Sequence, residues 1–177
     1  TEAFMLNNSV FRGQFDSLSI LLDRLMKSIE PWWNAQSEIN QKRCEVLRNC
    51  IHAAFGSQGL YSLTVPTGGG KTIASLAFAL HHAVKNNLCR VIYVIPYTSI
   101  IEQTADIFRQ RLGANNVIEH HSGFNFDISD EDDGPSGVKR CYLATENWDA
   151  PIIITTNVQF FESIYARSEE HTSELQS

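Results

Sequence analysis

Apolar positions recur every three or four residues in SLSILLDRLMKSI, where Leu18, Leu21, Leu22, Leu25 and Ile29 share one stripe, so Ser17 to Ile29 is expected to be an amphipathic helix. Pro31 in EPWW cannot continue that helix and opens a linker over 31–38. Helical spacing resumes in SEINQKRCEVLRNCIHAAF through Ile39, Val46, Leu47, Cys50 and Ala54, and Gly56 and Gly59 stop it. LYSLTV (Leu60–Val65) is a short β-rich run, and TIASLAFALHHAV reads as a helix. RVIYVI (Arg90–Ile95) is the next buried strand, followed by the helix SIIEQTADIFRQRL with Ser99 as its cap and Gly113 at its end. NVIEH is a third short strand, and PIIITT (Pro151–Thr156) a fourth that leads into the helix NVQFFESIYA. Strands alternating with helices of this length predict an α/β fold, a parallel sheet with helices on both faces.

Between the first strand and its helix stands VPTGGGKT, Val65 to Thr72. Successive glycines let the backbone turn so that several N–H groups converge on one phosphate, and the positive end of the following helix adds to the field. Lys71 is placed to reach the β and γ phosphates, and the Thr72 hydroxyl to bind Mg²⁺. The strand feeding this loop is expected to be central in the sheet, with Lys71 at its carboxyl end. The generic pattern begins with Gly where this chain has Val65.

Length and charge then limit the function classes. The chain has 177 residues, 43% of them hydrophobic, enough for one ordinary domain core. It contains no run of about 18 apolar residues, and TEAFMLNNSVFRG lacks the basic end and apolar stretch of a signal peptide. A cytoplasmic protein without a membrane partner is expected. Cys44, Cys50, Cys89 and Cys141 have no Cys-x-x-Cys spacing and read as reduced structural thiols. The net charge of −6 argues superficially against nucleic acid. DISDEDD carries five acids and Ser168 to Ser177 three more, so 12 of the 20 acids remain against 14 bases, and charge decides nothing.

The polar segment Ser122 to Arg140 fails as a calcium loop: from Ser129 the sixth position is Gly134, but the twelfth is Arg140 where a bidentate glutamate belongs. His120 and His121 lack a distributed ligand set and read as structural, as do His81 and His82.

PTGGGKT resembles the first motif of superfamily 2 helicases, and VIYVIPYTSIIEQTADIFRQRLG the segment that sets a Pro-x-Thr-Ser loop against the backbone of a single strand. NVIEHHSGFNF and TENWDAPIIITTNVQFFESIYA resemble the CRISPR-associated Cas3 helicases, especially the type I-C like branch. The likeness covers about Ile39 to Ala166, and TEAFM resembles the end of the HD nuclease domain that precedes the helicase in that family. It implies a P-loop NTPase of RecA-like fold in which Pro66, Thr67, Gly68, Gly69, Gly70, Lys71 and Thr72 bind ATP and Mg²⁺, with Lys71 catalytic. It further implies that Thr98, Ser99, Thr155 and Thr156 touch single-stranded DNA as a patch separate from the glycine loop, contacts that suit a motor because hydroxyls bind phosphates without reading bases. The alternative is that Thr98, Ser99 and Thr156 cap the helices they precede. Gln41 and Arg43 lie where related helicases carry an adenine-sensing residue, or else on a solvated face.

Hydrolysis in such a core also needs a strand ending in Asp-Glu, and the strands here end in VIPYTS, IEHH and TTNV. RSEEHTSELQS, which follows the last helix, reads as the translation of a sequencing-library adapter. The expected layout is 1–30 as the end of a nuclease domain, 31–38 as linker, 39–167 as a partial RecA-like domain and 168–177 as a non-native tail. The whole protein would be an ATP-dependent helicase that unwinds and degrades DNA when recruited by a CRISPR RNA-guided surveillance complex (Cascade), the fragment itself being inactive. Its rivals are another superfamily 2 DNA or RNA motor of the restriction type, and a non-catalytic nucleotide-binding module.

Overall fold

The computed structural model describes residues 15–121, 148 and 150–174, with side chains through Tyr165. Helix α1 (Leu18–Ile29) forms as its spacing predicts: Leu18, Leu21, Leu25 and Ile29 are buried, and the Ser17 hydroxyl accepts from the Ile20 amide. A 3-10 turn, Glu30–Asn34, with Pro31 near its start, runs into the expected linker. Helix α2 (Glu38–Ala53) then buries Cys44, Leu47 and Cys50, while Ile39 faces solvent. Helix α3 (Lys71–Lys85) buries Ile73, Ala74, Leu76, Ala77, Leu80 and Ala83.

Strand β1 (Val91–Ile95) leads into α4 (Thr98–Leu112), which Gly113 ends at φ 94°. A 3-10 turn (Ala114–Asn116), β2 (Val117–His120), β3 (Ile152–Thr156) and α5 (Asn157–Glu174) complete the described chain. The sheet is parallel with order β1-β3-β2, Ile95 opposite Thr156 and His120 opposite Thr155. All five residues of β3 are buried, as a central parallel strand requires.

Alternation along β3 separates two cores. Ile152 and Ile154 join Leu21, Leu25, Leu76, Leu80, Ile101 and Phe108 beneath α1, α3 and α4. Ile153 joins Ile118, Trp148 and Ala150 on the opposite side, where Phe15 and α5's Phe160 pack. Helices therefore cover both faces. The helix expected to close a preceding domain shares its core with the sheet, and polar contacts reinforce it: Arg24 donates to Asp16 at 2.6 Å and to the Leu112 carbonyl at 2.8 Å.

One expected element is absent. Leu60–Val65 is not a strand and does not join the sheet; it runs beside α3, with Tyr61 packed on Phe78 at 4.9 Å and on His82 at 5.6 Å. Leu60 is fully exposed and Leu63 is exposed. A β-rich sequence becomes a strand only when a neighbour pairs with its backbone, and among the described residues none does. The central position expected for the strand before the glycine loop belongs instead to β3. The polar segment from Ser122 to Arg140 and Cys141 lie outside the described residues.

Candidate nucleotide-binding site

The glycine loop holds its shape for a separate reason at each glycine. Gly68 and Gly70 sit at φ +80° and +84°, the left-handed region that strains any other residue. Gly69 has ordinary φ, but a side chain there would strike Val65 and come within 3.0 Å of the Pro66 carbonyl oxygen. The Gly69 amide in turn donates to that carbonyl at 3.1 Å.

From this turn the chain enters α3 at Lys71. Gly70 supplies no capping side chain and no acid stands in the first turn, so the leading N–H groups and the positive helix end remain for an anion. Lys71 is exposed and Thr72 half-buried. A cavity of about 920 Å³ opens between the loop, α2 and the 3-10 turn, and Trp32, Arg43, Leu47, Thr67, Lys71 and Thr72 contribute to its wall. Among the described residues no Asp or Glu lines it, and Lys71 and Arg43 make it basic.

Below the cavity, α3 is fixed to the sheet by a hydrogen bond between Ser75 and Tyr93. Burial pushes the Tyr93 phenol up to about 12, with the Ser75 bond acting the other way, so it stays protonated at neutral pH. His82 Nδ1 meets the Ala54 carbonyl at 2.8 Å and Lys85 donates to the Gly56 carbonyl at 2.6 Å, which hold the end of α2 against α3.

The residues expected on a DNA track leave adjacent strand ends, since β1 and β3 pair in parallel. Thr98 and Ser99 are exposed, but Tyr97 precedes the helix and makes no side-chain cap, so Ser99 does not cap α4. Thr156 accepts from the Gln159 amide at 3.3 Å and thereby caps α5. Thr155 is 0% exposed, its hydroxyl 3.3 Å from His120 Nδ1, so it cannot present that hydroxyl to a strand running over the surface. The expected separation from the glycine loop is also smaller than anticipated, because Ile100 in the first turn of α4 lines the same cavity.

His120 packs edge-on against Trp148, and burial lowers its pKa, the neighbouring His121 adding to this and Glu162 opposing it. Buried Glu119 pairs with Arg109 of α4 and stands 3.6 Å from His121.

Sequence reasoning named Arg43 only as a candidate adenine-sensing residue or part of a solvated face, and missed two features of the cavity. Trp32 lines it from the turn expected to be a linker, and Arg43 Nε donates to the Gly68 carbonyl at 2.8 Å. Neither has a local signal, because Arg43 and Gly68 are 25 positions apart.

Residues 32–176 match the family described as "Type III restriction enzyme, res subunit". The chain belongs to that family. This member is also similar to the CRISPR-associated nuclease/helicase Cas3 of Haloferax volcanii, 28% identical over 131 residues, which cover 64% of this chain and 14% of the relative. It therefore spans only a small part of the length of that curated relative. With the parallel sheet and the glycine loop, the family places the chain among RecA-like P-loop folds, as an ATP-binding module of the superfamily 2 helicase type. No helix among the described residues is long and apolar enough to cross a membrane.

Proposed function

We propose that this chain is the nucleotide-binding part of an ATP-dependent helicase that moves along single-stranded DNA. The observation that carries the reading is the basic, acid-free cavity bounded by Thr67, Gly68, Gly70, Lys71 and Thr72 at the uncapped start of α3. Phosphates would bind there to the loop amides, which Gly68 and Gly70 orient and α3's dipole reinforces. The Lys71 ammonium neutralises the outer phosphates, and the Thr72 hydroxyl is the group that would hold Mg²⁺. The metal supplies charge neutralisation at the phosphates when bound.

Turnover needs more than this. Among the described residues, no carboxylate lines the cavity to support the metal or orient a water. The same observation favours a second reading for the chain taken alone, a module that binds nucleotide without hydrolysing it. In the whole protein, Thr98, Ser99 and Thr156 would follow the DNA backbone. The resemblance to Cas3 supports a cytoplasmic nuclease-helicase working with an RNA-guided surveillance complex in CRISPR interference, with 1–30 drawn from its nuclease domain.

Titration of the purified chain with a fluorescent ATP analogue tests the core of the reading. Lys71→Ala is expected to weaken binding by about tenfold or more, the loss of one charge-assisted contact. Equal binding by the variant, or none by the parent chain, would sink the phosphate assignment. DNA-stimulated ATP hydrolysis abolished by Lys71→Ala would show instead that the chain holds a complete catalytic site.

A further inference from the structure

Arg43 belongs to α2, yet it is the side chain that ties the glycine loop to the rest of the fold. Its Nε donates to the Gly68 carbonyl at 2.8 Å, and its Nη1 to Asn40 Oδ1 at 3.0 Å, so the guanidinium is fixed at two points. Its Cβ and Cγ lie 3.7 and 3.6 Å from where a methyl on Gly70 would stand, closing the space beside the start of α3. The remaining hydrogen bond within the turn, from the Gly69 amide to the Pro66 carbonyl, is local. Residues 60–66 give no sheet support. Among the described residues, Arg43 makes the long-range hydrogen bond to this loop.

We propose that Arg43 is a positioning residue that holds the glycine loop in its phosphate-binding shape before any ligand arrives. The proposal rests on the nucleotide reading above and deepens it. Gly68 occupies a left-handed conformation that an untethered glycine leaves readily, because glycine has the largest backbone freedom to lose. The Gly68 carbonyl and the Gly69 amide share one planar peptide unit, so fixing the carbonyl fixes that unit, and the loop meets a phosphate without first being ordered. Preorganisation of this kind raises affinity by removing an entropic cost from the binding step. A guanidinium suits the task because its planar fork bonds Gly68 and Asn40 at once, which a single ammonium on a flexible stem does not reproduce.

The test separates this role from general charge and from folding. Hydrogen exchange of the nucleotide-free chain would be followed at the amides of 67–72, beside titration with ATP and with inorganic tripolyphosphate. Arg43→Ala should raise exchange at 67–72 while leaving the buried amides of α2 and α3 protected, and weaken both ligands by about tenfold. Arg43→Lys keeps the charge but should leave exchange raised and affinity reduced. Asn40→Leu, which frees the fork without changing charge, should move both readouts the same way by a smaller factor.

Unchanged exchange at 67–72 in Arg43→Ala would overturn the proposal, as would faster exchange spread through both helices. Full affinity in Arg43→Lys with exchange still raised would mean that charge alone matters, and would overturn it too. Lys71→Ala serves as the control: it should weaken binding by about tenfold or more with loop exchange unaltered. If the parent chain binds neither ligand, the nucleotide reading fails, whereas the exchange experiment still decides whether Arg43 holds the loop.

Discussion

His81 and His82 occupy successive positions of α3 and meet different surroundings. His82 hydrogen-bonds the Ala54 carbonyl and stacks on Phe78. His81 packs against Phe55, and its buried Nε2 finds no hydrogen-bond partner among the described residues. Burial lowers the His81 pKa, so the folded state disfavours the cation while the unfolded chain takes up a proton near pH 6.5. Stability from this group is complete above that value and is lost as pH falls toward the folded-state pKa; His120 acts with the same sign. The melting temperature should fall between about pH 7.5 and about pH 5.5, and His81→Leu should make that fall shallower. An identical slope in the variant would assign the acid sensitivity elsewhere. At this scale the sequence was informative where one residue type has one use, as with the glycines of VPTGGGKT. It was silent where the use depends on a distant partner, as with Arg43 and Gly68.

At the scale of elements, the amphipathic helices were legible because their burial follows from 3.6-residue spacing alone. Leu60–Val65 was not legible, since β propensity says that a segment suits a sheet and not whether a neighbour is there to pair with it. Likewise Ser17–Ile29 displayed its apolar stripe but not its partner, which proves to be the core formed with α3 and α4. Leu25 is fully buried in that core, and Leu25→Ala should cost about 3 kcal/mol in urea denaturation. A cost near zero would mean that α1 is an appendage with no part in the fold. The end of the chain predicts the opposite behaviour. Although α5 continues to Glu174 through the start of this segment, Ser168 to Ser177 carries three glutamates and a single large aliphatic residue, Leu175, so packing it against the core gains little against the entropy of fixing its side chains and backbone. Removing these residues should leave the melting temperature unchanged, although the family match runs to residue 176. A clear fall would mark the segment as part of the native fold.

At the scale of the whole molecule, alternating strands and helices were enough to predict a parallel sheet between helical layers, whereas the order β1-β3-β2 arises from pairings that no local pattern encodes. That order leaves β1 at one margin, paired only with β3 among the described residues, with Ile92 and Val94 36% and 38% exposed. A margin of this kind is adhesive. Its amides and carbonyls on the side away from β3, unpaired in the sheet among the described residues, can zip onto the same margin of another molecule, antiparallel about a two-fold axis, so that each copy closes the other's sheet. Light scattering or sedimentation should show self-association that grows with protein concentration. Val94→Lys, which sets a solvated charge on the adhesive margin, should suppress it while leaving nucleotide affinity intact.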